Sequence, residues 1–193
     1  KAGMPAKLFV LDGPAAAGKT TFSKRLLKDE KLNLTFCPRI TTREPEPGDT
    51  EYDYVSSKEF ERMVKDEEFA SYRVFLGGLS YGVPRGPIDE KLASGQHALA
   101  IVDLGTGEQI KETWPEAITI FLVSPAEEIE ERLKASEDDE EVVSEKLQNA
   151  MNSYSFVPYY DYVIPNRQGR EEEAYAQLRD IIASKACGDP KPR

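Results

Sequence analysis

Along this chain, short uninterrupted apolar runs alternate with longer amphipathic stretches. Residues 7–11 read as a strand, Lys19–Lys28 as a helix and 32–36 as a second short strand, which opens an α/β pattern. Residues 97–103 and 117–123 are near-continuous apolar runs of strand length, as parallel strands covered on both faces require. Residues 160–164 make a last strand candidate. Between the strands, 107–114, 125–135, Glu140–Ser153 and 171–186 carry helical patterning, with Ser124 expected as the N-cap of the second and Glu127 and Glu128 in its first turn.

Residues 39–96 break this rhythm. They hold Arg43-Glu-Pro-Glu-Pro-Gly-Asp49, a tyrosine-rich strand at 52–55, a helix at 56–66 and a Gly77-Gly78 turn, and so read as a lobe inserted into the α/β core. The acidic tract Ser136-Glu-Asp-Asp-Glu-Glu141 reads as a solvated, flexible connection between two helices. The core is then 4–38 together with 97–187. Lys1-Ala2-Gly3 ahead of Met4 is expected to be an appended remnant, and 188–193 a disordered tail.

Length and charge narrow the function classes. With 193 residues the chain can bury one substantial core. Its 25 Lys+Arg against 35 Asp+Glu give a formal charge of −10, a surface that repels polyanions, so general nucleic-acid binding is not expected. Nothing approaches a membrane-spanning apolar run, and Cys37 and Cys187 have no further pair with which to form a disulfide or metal framework. A soluble, cytoplasmic protein in a reducing compartment is the expectation.

The strongest chemical signal is Gly13-Pro14-Ala15-Ala16-Ala17-Gly18-Lys19-Thr20, which fits G-x-x-x-x-G-K-[ST] between a strand and a helix. Such a loop turns main-chain N–H groups toward a nucleotide's β-phosphate, and the helix that follows points its positive end at the same oxygens. Lys19 is expected to bridge the β- and γ-phosphates and Thr20 to ligate Mg²⁺, with Thr21 beside it, so Mg-ATP or a relative is implied. Asp103, at the end of a buried run, suits a carboxylate oriented toward the metal, although a strand-end aspartate can equally cap a helix. His97, the one histidine, and Trp114 read as structural residues.

With the P-loop in place, further segments carry a resemblance to the guanylate kinase family over nearly the whole chain: Thr41-Thr42-Arg43 with Pro45 and Gly48, residues 52–61, Tyr81-Gly82, Glu131-Arg132-Leu133 and Tyr160-Asp-Tyr-Val-Ile-Pro-Asn166. The resemblance implies a three-layer P-loop α/β core around a central parallel sheet, the lobe at 39–96 as acceptor-binding lobe, a short lid near 136–141, and transfer of the γ-phosphoryl of ATP to GMP. Arg43, Tyr52 and Tyr81 match positions that grip the acceptor 5′-phosphate. Arg132 matches a lid cation that neutralises the transferred group, and Asn166 a position beside the donor adenine.

Several positions depart from the family pattern. Arg39 stands where a serine is usual and Glu46 where a second acceptor arginine is usual; Ser71 and Gly105 stand where carboxylates read the guanine edge; Ser136 and Lys146 stand where the lid commonly has arginines. From sequence, three readings remain open: a guanylate kinase, a kinase for a different phosphate acceptor with Arg39 in the site, or a nucleotide-binding interaction module. A complete Gly18-Lys19-Thr20 favours the enzyme.

Overall fold

The computed structural model describes residues 5–75 and 79–187. The expectations for 1–3, for the Gly77-Gly78 turn and for the tail at 188–193 lie outside the described residues. In chain order the elements are β1 (Leu8–Asp12), α1 (Lys19–Lys28), β2 (Leu34–Phe36), β3 (Arg39–Thr41), β4 (Tyr52–Tyr54), α2 (Ser57–Lys65), β5 (Phe69–Val74) and β6 (Ser80–Pro84). Then come α3 (Arg85–Ala93), β7 (His97–Ile101), α4 (Ile110–Thr113), β8 (Ile118–Val123), α5 (Ala126–Ser136), α6 (Glu140–Ser153), β9 (Tyr162–Pro165) and α7 (Glu171–Cys187). Among the described residues, no helix is long and apolar enough to cross a membrane.

Five strands form a wholly parallel sheet in the order β2-β7-β1-β8-β9. The apolar runs explain it: every residue of β1 and β7 is buried, so neither strand could face water. Alternate side chains serve opposite faces. Phe9, Leu11, Leu99 and Ile101 pack against Phe22 and Leu26 of α1, Ile129 and Leu133 of α5, and Leu178 and Ile182 of α7. Leu8, Val10, Ala98 and Ala100 pack against Ile88 of α3, Ile110 and Trp114. Each large side chain so enclosed stabilises the fold by about 1.5–3 kcal/mol relative to exposure.

A second sheet, ordered β4-β3-β6-β5, is built wholly from residues within 39–84. It has its own small core of Ile40, Phe60, Met63 and Phe69, with Phe60 and Phe69 ring centroids 4.6 Å apart. Its β3–β4 pair is parallel and its other pairs antiparallel. Helix α3 follows directly on β6 and sends Ile88 back into the core of the first sheet.

Three local expectations change. Ser124 does not cap α5; its Oγ donates to the Asn166 carbonyl (2.6 Å), because Ser124 directly follows β8 and Asn166 directly follows the neighbouring β9, and Pro125 precedes the helix instead. The acidic tract is half helical: α5 runs through Ser136, and Asp139 accepts N–H groups of Glu141 and Val142 to cap α6, so the connection between the two helices is 137–139. The helix expected at 107–114 divides into a 3₁₀ turn, Thr106–Gln109, and the single-turn α4. His97 is buried, and its Nδ1 accepts the Lys7 N–H (2.9 Å), so it joins the edge of β7 to the start of β1 as a structural residue.

Candidate active site

Strand β1 delivers the chain to the loop 13–18, and α1 leaves it. Gly18, the residue before α1, has φ +101°, and a Cβ there would lie 2.6 Å from the Asn166 amide nitrogen; only glycine fits both the backbone and the contact. No side chain caps α1, so its first N–H groups are left for an anion. Lys19 is turned back under the loop with only 4 % exposure, and its Nζ donates to the carbonyls of Gly13 and Val102 and to Asp103 Oδ1.

Two side chains hold the loop from behind. The Asn166 amide donates to the Ala17 carbonyl (2.7 Å), and Arg132 donates to the Ala16 carbonyl (2.9 Å) and Ser124 Oγ (3.1 Å). Arg132 also lies 3.7 Å from Glu128, one helical turn away. A cleft of about 400 Å³ opens in front, lined by Ala15, Ala16, Gly18, Lys19, Thr20, Thr21, Arg25, Arg132, Asn166, Glu171 and Glu172. Thr20 and Thr21 are exposed at its mouth.

A second cleft, about 390 Å³, lies between the two sheets and α6. Arg39, Tyr52, Tyr81, Asp103 and Lys146 line it, together with Leu104, Val142, Glu145 and Asn149. The two clefts share Ala15, Lys19 and Thr20. Lys19 and Thr20 therefore stand at the junction of two spaces large enough for small molecules.

Asp103 is the electrostatic centre of that junction. Its Oδ1 meets Lys19 and its Oδ2 meets Arg39 NH1 at 2.9 Å, while Arg39 NH2 donates to the Tyr52 hydroxyl and lies 3.5 Å from Glu51. Burial disfavours the Asp103 carboxylate, but Lys19 and Arg39 outweigh it and bring its pKa down to about 2. Burial pushes the Tyr52 phenol up to about 12, against the pull of Arg39, so it stays a neutral hydrogen-bonding group. Arg39 is 5 % exposed, and its buried Nε has no hydrogen-bond partner among the described residues.

Other expected residues line neither cleft, although Ser71 shares a small cavity with Arg39, Tyr81 and Asp103. Arg43 is not among the residues lining either cleft; it pairs with Glu46 (2.9 Å) and Asp49 (3.0 Å), and its guanidinium carbon sits 5.1 Å from the Tyr52 ring centroid. Ser71 is buried and donates to the Thr106 carbonyl (3.0 Å) at the wall of a cavity of only about 20 Å³. Gly105 has φ +90°, and any Cβ there would collide with the Phe156 ring, so this backbone and its neighbour leave no room for a carboxylate.

Sequence reasoning missed Asp12, Glu145 and Asn149. Asp12 left a signal, a lone carboxylate ending an apolar strand directly before Gly13; Glu145 and Asn149 join the cleft only because α6 packs there.

Among the described residues, no three His, Cys, Asp or Glu side chains cluster as a self-sufficient metal site. The donor set nevertheless suits Mg²⁺: one exposed hydroxyl, Thr20, and one ionised carboxylate, Asp103, are hard oxygen ligands, and such an ion takes its remaining ligands from phosphates and water.

A family model described as guanylate kinase matches residues 5–185. The chain belongs to the guanylate kinase family. A guanylate kinase of Sphingopyxis alaskensis is 35 % identical over 91 % of this chain and 80 % of its own length. One from Fusobacterium nucleatum is 34 % identical over 91 % of this chain and 95 % of its own. The crystal structure of guanylate kinase from Anaplasma phagocytophilum superposes with a TM-score of 0.72, covering 95 % of this chain and 88 % of that one, at 22 % identity, a likeness of fold. The guanylate kinase match spans both clefts and every residue that lines them.

Proposed function

We propose that this protein transfers the γ-phosphoryl group of ATP to GMP, with ATP in the P-loop cleft and the monophosphate in the cleft between the sheets. The observation that carries this reading is the sharing of Ala15, Lys19 and Thr20 by both clefts. A group passed from one occupant to the other meets Lys19 on the way.

The chemistry needs positioning and charge rather than a base. An oxygen of the acceptor phosphate, already anionic, attacks the γ-phosphorus; the bond from that phosphorus to the bridging oxygen breaks, and ADP leaves with the electron pair. Lys19 exchanges its carbonyl and Asp103 contacts for phosphate oxygens. The segment 39–96 acts as the acceptor lobe, where Arg39, Tyr52 and Tyr81 face the acceptor, and Arg43 joins them by leaving Glu46 and Asp49. Arg132 and Lys146 bring cations from the α5–α6 side, where the segment near 136–141, the connection 137–139 with the helix ends beside it, serves as the lid. Thr20 and Asp103 would hold Mg²⁺, which when bound neutralises charge between the β- and γ-phosphates. Asn166 fixes the P-loop beneath the donor. The two unpaired cysteines, buried Cys37 and exposed Cys187, accord with a reducing, cytoplasmic setting.

The test is ADP formation in a coupled assay over all ribo- and deoxyribonucleoside monophosphates. GMP and dGMP are expected to turn over fastest. Turnover of another acceptor well ahead of GMP would replace the acceptor assignment, and tight ATP binding with no turnover would leave an interaction module.

A further inference from the structure

Asp12 is fully buried at the end of β1, and its carboxylate is surrounded by donors from three separate segments. Oδ1 accepts the N–H of Gly13 (2.6 Å) and of Gly105 (3.1 Å). Oδ2 accepts the N–H of Gly107 (2.9 Å) and the hydroxyl of Tyr160. Three of these four partners are main-chain N–H groups, which can only donate, so the set matches a carboxylate. Burial pushes the Asp12 carboxyl up, against the opposing pull of Lys19, of the Tyr160 hydroxyl and of the two glycine N–H groups.

The three segments tied here all bear on the phosphate site. Gly13 begins the P-loop and its carbonyl accepts from Lys19. Gly105 and Gly107 follow Asp103, whose carboxylate holds Lys19 on one side and Arg39 on the other. Tyr160 packs edge-on against Phe121 of β8, with centroids 5.0 Å apart, and precedes β9, which ends just before Asn166, the brace of the Ala17 carbonyl. Asp12 itself lines neither cleft.

From this arrangement we infer that Asp12 is a positioning residue for phosphoryl transfer, which with Tyr160 locks the Asp103 loop and the start of the P-loop into one register so that Lys19 and Asp103 meet correctly at the junction of the two clefts. The inference rests on the P-loop cleft being the ATP site. An asparagine at position 12 keeps the volume but must turn an N–H₂ toward at least one main-chain N–H, which releases one of the tied segments. A phenylalanine at 160 removes one donor and leaves the ring in place.

The experiment compares Asp12→Asn and Tyr160→Phe with the unaltered protein in three measurements: melting temperature, affinity for a fluorescent ATP analogue, and kcat with KM for each substrate well below the melting midpoint. The expected result for Asp12→Asn is an ATP-analogue affinity weaker by roughly tenfold and a kcat lower by about 10–100-fold, with the acceptor KM within about twofold, since small misplacements of reacting groups cost this much. Tyr160→Phe should move the same quantities in the same direction by less. A variant that melts earlier but keeps ATP affinity and kcat would make Asp12 a stability residue only and overturn the inference. Should Asp12→Asn not fold, unchanged kinetics in Tyr160→Phe would overturn it equally. An unaltered protein that binds no ATP analogue would sink the kinase reading and this inference with it, a result distinct from a variant effect.

Discussion

The two clefts that meet at Lys19 are made in different ways. The cleft in front of the loop 13–18 takes most of its walls from one stretch, 15–25. The cleft between the sheets draws on β3, β4, β6, the residues after β7, and α6, and its central ion pair joins Arg39 to Asp103 across 64 positions. The first is a property of a short peptide held between a strand and a helix; the second exists only when two sheets and a helix have packed. Substitutions in the first should therefore act on chemistry with ATP, while those in the second should divide between acceptor binding and stability.

The largest effect is expected from Lys19→Ala. It removes the cation at the junction and should lower phosphoryl transfer by at least about 10³-fold and weaken ATP binding, read by ADP formation and nucleotide titration. Unchanged turnover would show that the shared wall of the two clefts is not where the group is passed.

Arg39→Ser sharpens the comparison from the other side. The acceptor KM should rise by roughly tenfold while the ATP KM moves much less, because of the two clefts Arg39 lines the one between the sheets and not the one in front of the loop 13–18. Equal shifts in both constants would mean that the Arg39–Asp103–Lys19 chain makes one site of the two.

Two further effects concern stability. Asp103 has a folded-state pKa of about 2, below its unfolded value of about 3.9. The ionised form is the one the fold favours, so this contribution, roughly 2 kcal/mol, is complete above about pH 5 and is lost as pH falls from about 4 through 2. Urea midpoints at pH 7 and pH 3 should show it in the unaltered protein, with a smaller decline for Asp103→Asn. Gly105→Ala should cost about 1–2 kcal/mol in thermal unfolding, since φ +90° and the Phe156 ring both oppose a Cβ; Phe156→Ala in the same chain should relieve the clash but not the backbone. Full relief would show that packing alone dictates glycine there.

Much of the core was legible before folding. The apolar runs gave β1, β7 and β8 nearly residue for residue, and α1 and α6 matched their patterns, because burial on both faces of a parallel sheet leaves no polar position to blur the signal. Ser124 misled because a serine ahead of an acidic helix start looks like a cap, whereas the neighbouring strand's carbonyl outcompeted the helix for its hydroxyl. Of the residues singled out from sequence, Ala15, Ala16, Gly18, Lys19, Thr20, Thr21, Arg39 and Arg132 line the clefts; Arg43's engagement with Glu46 and Asp49 was not anticipated.

By itself the sequence determined the α/β order, the loop 13–18 between β1 and α1 and the lysine that follows it, since these depend on contacts within a few residues and on a two- or 3.6-residue period that a linear pattern records. Only the tertiary structure decided that Asp103 would sit between Lys19 and Arg39, that Phe156 would fill the space beside Gly105, and that Asp12 would join segments 93, 95 and 148 positions away. Such pairings leave no periodicity in one sequence: they arise where parallel strands end side by side, and burial there obliges each polar group to find its partner across the sheet.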